Sequence, residues 1–243
     1  MAQTPRRVAP SKPAAHPDIS GLWQSLGSPD VDLRDHVAQA GPYTPLGALG
    51  ATPAGVTIID GGLIPYLPAA AQKQKENYAN RLKLDPAIKC YMPGIPRAHY
   101  MPFPFQIVQS DDVILFAYEF ATANRVVNMK NHKEAPVDSW MGWSNGHWEG
   151  QTLVVDVTGL NGMSWLDRAG NFASETAHIV ERFTPQGPNH LLYEATITDP
   201  AVYSLPWKIS LPLYRRMEKN AQLLEFKCVE YAEENLYGDL KRK

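Results

Sequence analysis

The stretch Trp140 to Phe183, WMGWSNGHWEGQTLVVDVTGLNGMSWLDRAGNFASETAHIVERF, decides the fold. Trp148-Glu149-Gly150-Gln151-Thr152 sets a glycine, which tolerates positive φ, between an aromatic residue and the β-branched run Thr152 to Val157. This predicts a hairpin turn joining two strands. Residues 158 to 176 then form a long loop carrying Asn161, Trp165, Asp167, Arg168 and Asn171, and a strand resumes at His178. Loops of that length inside a compact domain act as lids or binding loops unless they are disordered, and the Trp, Leu and Phe content argues against a plain linker. The same stretch holds four of the six tryptophans and two of the seven histidines, so it is also where chemistry is sought.

Working outward, short β-rich runs recur at Asp18 to Gln24, Phe105 to Gln109, Val113 to Phe120, Arg125 to Met129, Ile179 to Phe183, Leu191 to Thr198, Trp207 to Leu213 and Leu223 to Tyr231. Pro, Gly, Asn and Asp separate them, and the later intervals leave no room for βαβ crossovers, which predicts an antiparallel meander. Leu191, Tyr193, Ala195 and Ile197 alternate with Glu194, Thr196 and Thr198, and Leu224, Phe226 and Cys228 alternate with Glu225 and Lys227. One dry and one wet face per strand is the pattern of a curved or closed sheet. The expectation is an all-β fold with minor α: a calycin-like, lipocalin-style barrel of about eight strands, wide enough for one small ligand. Ala69 to Leu84, free of Gly and Pro, predicts one surface helix with Ala71, Tyr78 and Leu82 as its weak apolar face.

Composition sets the outer limits. A chain of 243 residues with 44% hydrophobic content can bury a full core, and one domain over residues 18–243 is expected. Residues 1–17, MAQTPRRVAPSKPAAHP, lack the apolar core of a signal peptide and read as a disordered leader. A net charge of −2 without a basic stripe favours neither nucleic acid nor an anionic membrane as partner. No apolar run approaches the ~18 residues of a membrane span. Cys90 and Cys228 permit one disulfide, closing a very long loop and implying an oxidising compartment, or two buried thiols; the residues leave both open.

PFPFQIVQ at Pro102 to Gln109, WSNGHWEGQTLVVD at Trp143 to Asp156, SWLDRAGN at Ser164 to Asn171 and HIVERF at His178 to Phe183 together resemble a large family of bacterial proteins, mostly uncharacterised and often exported. The resemblance runs from about Ile19 to the C-terminus and implies a β-rich, barrel-like fold and a periplasmic or secreted location. It brings no settled activity. The family usually has an acidic-aromatic-His cluster where this chain reads Phe120-Ala121-Thr122-Ala123-Asn124, a Gly-Arg-Pro-His step where it reads Asn131-His132-Lys133-Glu134, and His where it has Ala173. Fewer imidazoles at those points argue against a metal role and for a specialised member.

Asp167 and His178 are the acid/base candidates, because a carboxylate beside an imidazole fixes its tautomer and moves its pKa toward neutrality. Asp167 reads equally as a loop-ordering carboxylate, and His178 as a plain strand histidine. Glu119 shares parity with Val113, Leu115 and Ala117, so an inward-facing carboxylate is expected, paired in the alternative with Arg125 or Arg97 as a structural ion pair. Trp140, Trp143, Trp165, Tyr118 and Tyr193, with Arg125 and Arg168, are the candidate substrate contacts, since indoles and phenols join large apolar area to one polar handle. G-x-S-x-G, P-loop, G-x-G-x-x-G, C-x-x-C and H-E-x-x-H motifs are absent, so neither metal nor cofactor is expected. Two functions follow. One is a cofactor-independent enzyme performing isomerisation, elimination or cyclisation on an apolar, polyketide- or terpene-like substrate inside the barrel. The other is a lipocalin-type binding protein for a small hydrophobic molecule.

Overall fold

The structure is a computed structural model that describes residues 16–240. The expected leader lies outside the described residues except for His16, whose ring stacks on Trp148 at 5.0 Å, and Pro17, whose carbonyl accepts from Gln109. Those two positions therefore belong to the folded body.

Nine strands close a barrel in chain order: β1 (Gly21–Ser25), β2 (Phe105–Gln109), β3 (Val113–Tyr118), β4 (Asn124–Asn128), β5 (Trp143–Glu149), β6 (Thr152–Thr158), β7 (His178–Pro185), β8 (His190–Thr198) and β9 (Trp207–Arg215). The expected Trp148–Thr152 hairpin is the β5–β6 turn, with Glu149 opposite Thr152 and Gly150 at φ +60°. Neighbours run antiparallel except β4 and β5, which pair in parallel at Val127↔Ser144 and Asn128↔Asn145. Parity requires this. An odd number of strands alternating in direction would bring β1 and β9 together in parallel, and one parallel step elsewhere lets that seam close antiparallel, as observed. The expectation of a wholly antiparallel meander is corrected accordingly.

The strand expected at Leu223 to Tyr231 does not form. β1 pairs with β2 on one side and β9 on the other, so closure leaves no free edge to receive it. The segment instead lies along the outside of the barrel, with Phe226 packed on Phe103 and Phe120 at 5.2 and 5.0 Å. A disulfide between Cys90 and Cys228 fastens it, and α3 (Ala232–Tyr237) follows.

Register fixes which loops share an end. The short turns β2–β3, β5–β6 and β7–β8 lie at one end; residues 26–104, the 119–123 turn, the 159–177 loop and the 199–206 loop gather at the other, and the 129–142 connection runs from the first end to the second, as the parallel β4–β5 pair requires. The long end is plugged. Arg97 donates through Nε to Asp30 (2.6 Å) and through Nη1 and Nη2 to both oxygens of Asp85 (2.9 and 3.1 Å), joining the start of the 26–104 segment to its last part. Tyr100 donates to the Leu166 carbonyl at 2.7 Å, and Arg168 N–H donates to the Asp30 carbonyl at 2.7 Å.

The expected helix is interrupted. α1 (Pro68–Ala79) and α2 (Arg81–Leu84) meet at Asn80, whose side chain donates to the Glu76 carbonyl and leaves the helical backbone geometry. The buried face is Ala70, Gln74 and Asn77, not Ala71, Tyr78 and Leu82. Positions 70, 74 and 77 share one face, and the two amides donate to the Ala169 and Gly170 carbonyls at 2.8 and 3.1 Å. Gly170, at φ +81°, admits this approach, since a Cβ there would lie 2.6 Å from Asn77 Cβ. The helix holds the 159–177 loop by hydrogen bonds, which is why its apolar periodicity is weak.

Candidate functional site

Inward positions alternate down each strand and fill the barrel with side chains, among them Trp23, Phe105, Phe116, Phe183, Tyr193 and Ile209. These buried side chains belong to one contiguous hydrophobic core. At its centre sits a polar group that apolar walls would not tolerate unpaired. Glu181 projects inward from β7 between Ile179 and Phe183, accepts a hydrogen bond from Tyr193 at 2.6 Å, and lies 3.2 Å from His99 Nδ1. Arg125, inward on β4, places Nη2 2.7 Å from the other Glu181 oxygen and its guanidinium carbon 4.8 Å above the Phe116 ring. No Arg125 N–H is aligned for a hydrogen bond, so the pairing is one of charge and proximity. Burial works against the guanidinium charge, and Glu181 nonetheless holds its pKa above the ordinary value.

His99 reaches this centre from the turn Arg97–His99 at the plugged end, ringed by Phe105, Phe116, Tyr118, Phe183 and Tyr193. Its Nε2 lies 3.0 Å from the Tyr118 hydroxyl. Burial first, and the Arg125 charge second, push its pKa well below the usual histidine range and keep the imidazole neutral. Tyr118, Tyr193 and Arg125 meet around His99 and Glu181, two residues that the sequence did not single out.

The three candidate acid/base residues do not converge. Asp167 is fully buried in the plug, accepting from Leu33 N–H (3.0 Å), Asn171 N–H (3.1 Å) and the Asn171 side chain (2.5 Å). Burial and the nearby Asp32 charge outweigh those donors and push its carboxyl up to about 7. His178 faces outward on β7, with its side chain 45% exposed and Nε2 3.1 Å from Asp156 on the neighbouring strand. It makes no pair with Asp167. Glu119 follows a strand whose inward set is Ile114, Phe116 and Tyr118, the parity opposite to that expected, and accepts from Leu224 N–H outside the barrel. The ion pairs anticipated for it are made by other carboxylates: Arg125 with Glu181, Arg97 with Asp30 and Asp85.

A cleft of about 330 Å³ opens on the outside of the plugged end. α1 and α2 supply Lys73, Asn77 and Leu84; the 86–91 segment supplies Pro86, Lys89 and Tyr91; the opening stretch supplies Trp140, Gly162, Met163, Trp165 and Phe172. Tyr91 and Trp140 stack with centroids 4.9 Å apart and planes 10° from parallel. Trp165 and Phe172 are bridged partners across the loop, which therefore presents them side by side. Tyr91 is 48% and Met163 57% exposed, so large apolar area faces water here. Gly94, at φ +72°, lets the Tyr91 segment meet the loop: a Cβ would lie 2.3 Å from Ser164 Oγ and 3.2 Å from the Trp140 carbonyl.

Trp140 and Trp165 line this outer cleft, while Trp143 is half-buried at the start of β5 and Arg168 bonds Glu233 of α3 at 3.1 Å, both away from the cleft. Tyr91, Lys73 and Lys89 were missed; Lys89 and Tyr91 lie between Pro86 and Pro93, a turn-rich setting that hints at an exposed wall, and Lys73 on α1 carries no such signal. Fold and site define a closed nine-stranded barrel with a plugged end, a buried polar centre and an outer aromatic cleft. No protein-family model matches the chain, and no curated protein matches it.

Proposed function

We propose that this protein binds a small, flat, apolar molecule in the outer cleft without transforming it. The observation that carries the reading is the Tyr91–Trp140 stack facing Trp165 and Phe172 around an open space of ligand size. Stacked, half-exposed aromatics give a planar ligand broad contact with little side-chain entropy to lose. The dispersal of Asp167, His178 and Glu119 over three separate surroundings removes the convergence an acid/base mechanism by those groups needs. The closed meander supports a calycin-like placing, although nine strands and one parallel pair differ from the eight-stranded lipocalin barrel. The Cys90–Cys228 disulfide supports residence in an oxidising compartment, as the family resemblance implies.

Calorimetric titration with 2-naphthol tests the cleft. Binding that weakens at least about tenfold in Trp140→Ala is expected, a typical loss for a stacking anchor. Equal affinity in the two proteins would take the stack out of any ligand site.

A second reading, a cofactor-independent catalyst for polyketide- or terpene-like substrates, draws on one observation: neutral His99, Glu181, Arg125, Tyr118 and Tyr193 meet at one point. Such a set could move a proton and stabilise an oxyanion. All five are closed off from solvent, so a substrate would have to displace the plug. Turnover in a substrate panel that is abolished in His99→Gln, with folding retained, would establish it over simple binding.

A further inference from the structure

The cleft is apolar in its walls but not neutral in its charge. Lys73 stands on α1 and Lys89 on the 86–91 segment, and both residues line the same cleft as the Tyr91–Trp140 stack. No acidic residue lines the cleft, although the chain as a whole carries more acidic than basic side chains. Neither lysine has a carboxylate partner among the described residues. The nearest acidic residue in sequence to Lys89, Asp85, is buried and both its oxygens are taken by Arg97, and the nearest to Lys73, Glu76 on the same helix, accepts from Gln72 at 3.3 Å and makes no ion pair with Lys73 among the described residues. Two unneutralised cations beside a stacking platform, in a net acidic protein, form a local field that attracts an anion and leaves a neutral molecule unselected.

From this charge complementarity we infer that the cleft's ligand is a small planar aromatic carboxylate, its ring on the Tyr91–Trp140 stack and its anionic group toward Lys73 and Lys89. The inference rests on the binding reading above and sharpens its ligand class. Lysine suits the role because an ammonium on a flexible stem meets a carboxylate as a point charge and asks for no fixed fork geometry. The stack supplies ring contact for any planar molecule; the lysines supply the preference among them.

The test is calorimetric titration of the full chain at low and high salt with two probes of nearly one shape, 2-naphthoate and 2-naphthamide. The expected result is a preference of about five- to tenfold for the carboxylate at low salt, the size of two partly exposed charge contacts, shrinking as salt screens them. In the double variant Lys73→Met, Lys89→Met, checked for unchanged thermal unfolding, the ratio of the two affinities should fall close to one. Equal binding of both probes by the unaltered protein, or a carboxylate preference that survives the double variant, would overturn the inference and leave the cleft reading standing. Failure of both probes to bind would remove the cleft reading and this inference together.

Discussion

Arg125 and Glu181 face each other across the inside of the barrel, Nη2 2.7 Å from Oε2, and both side chains are closed off from solvent. Strands β4 and β7 are far apart in sequence, so this pair, with Tyr193 and His99 on the other carboxylate oxygen, ties opposite walls through a centre that is otherwise aromatic. Removing one charge leaves the other buried and uncompensated, which costs far more than the net worth of the pair.

Glu181→Gln should therefore destabilise by about 3–5 kcal/mol in urea unfolding. The double variant Arg125→Met, Glu181→Leu should recover most of that loss, because two apolar side chains of similar volume leave no charge behind. A Glu181→Gln variant as stable as the parent would show that the pair is not desolvated in solution.

Part of this centre was legible in the sequence. Arg125 shares parity with Val127, and Glu181 with Ile179 and Phe183, so each is a charge at an inward position of an alternating strand. Glu119 instead shares the parity of Val113, which is exposed at the start of β3 and belongs to that strand's outward set. His99 had no such signal: it lies in a three-residue turn, and only the folded chain carries it under the barrel. The Leu224-Phe226-Cys228 alternation was real as extended chain but uninformative about pairing, since whether an edge is free is a property of the closed sheet. Likewise α1 was legible as a helix, but its buried face is amides that answer backbone carbonyls 95 and 93 residues on, which hydrophobic periodicity does not register.

Asp167 predicts a pH dependence of stability. Its carboxyl is pushed up to about 7 in the folded chain, from an ordinary value of 3.8, by burial first and Asp32 second. The folded state therefore keeps a proton that the unfolded chain releases at lower pH. The stabilisation this gives is fully present below about 4 and is lost as pH rises through about 7, a change on the order of 4 kcal/mol. Urea midpoints measured from pH 4 to 8 should fall along that window. In Asp167→Asn this slope should disappear, at the expense of about 1–2 kcal/mol because the new amide faces the Asn171 N–H. A slope equal in parent and variant would assign the pH dependence to other groups.

The disulfide anchors a wall of the cleft. Cys90 lies between Lys89 and Tyr91, both lining residues, and its partner Cys228 holds the outer segment that places Tyr231 N–H on the Ile88 carbonyl at 2.8 Å. A bridge spanning 138 residues restricts the unfolded chain strongly. Cys90→Ser with Cys228→Ser should lower stability by about 2–5 kcal/mol. The same variant, at a temperature where it remains folded, should bind 2-naphthol more weakly, since the Tyr91 wall is released. Lost stability with undiminished probe affinity would mean that the segment around Cys90 holds its position without the bridge.

Gly94 makes the most local prediction about the cleft. Its φ of +72° lies in the left-handed region that side chains with a Cβ rarely adopt, and the space beside it is filled by Ser164 Oγ at 2.3 Å and Ser164 Cβ at 2.6 Å from the position a Cβ would take. Gly94→Ala therefore meets two obstacles at once, backbone strain and collision with the loop that carries Met163 and Trp165. One of the two segments has to move, and the Tyr91–Trp140 stack spans the gap between them. The expected outcome is a stability loss of about 1–3 kcal/mol and a drop in 2-naphthol affinity. Gly94→Ala combined with Ser164→Gly relieves the collision but not the φ strain, so affinity should return further than stability. If the double variant regains stability but not affinity, the close approach at Gly94 serves the packing of the plug and not the geometry of the cleft.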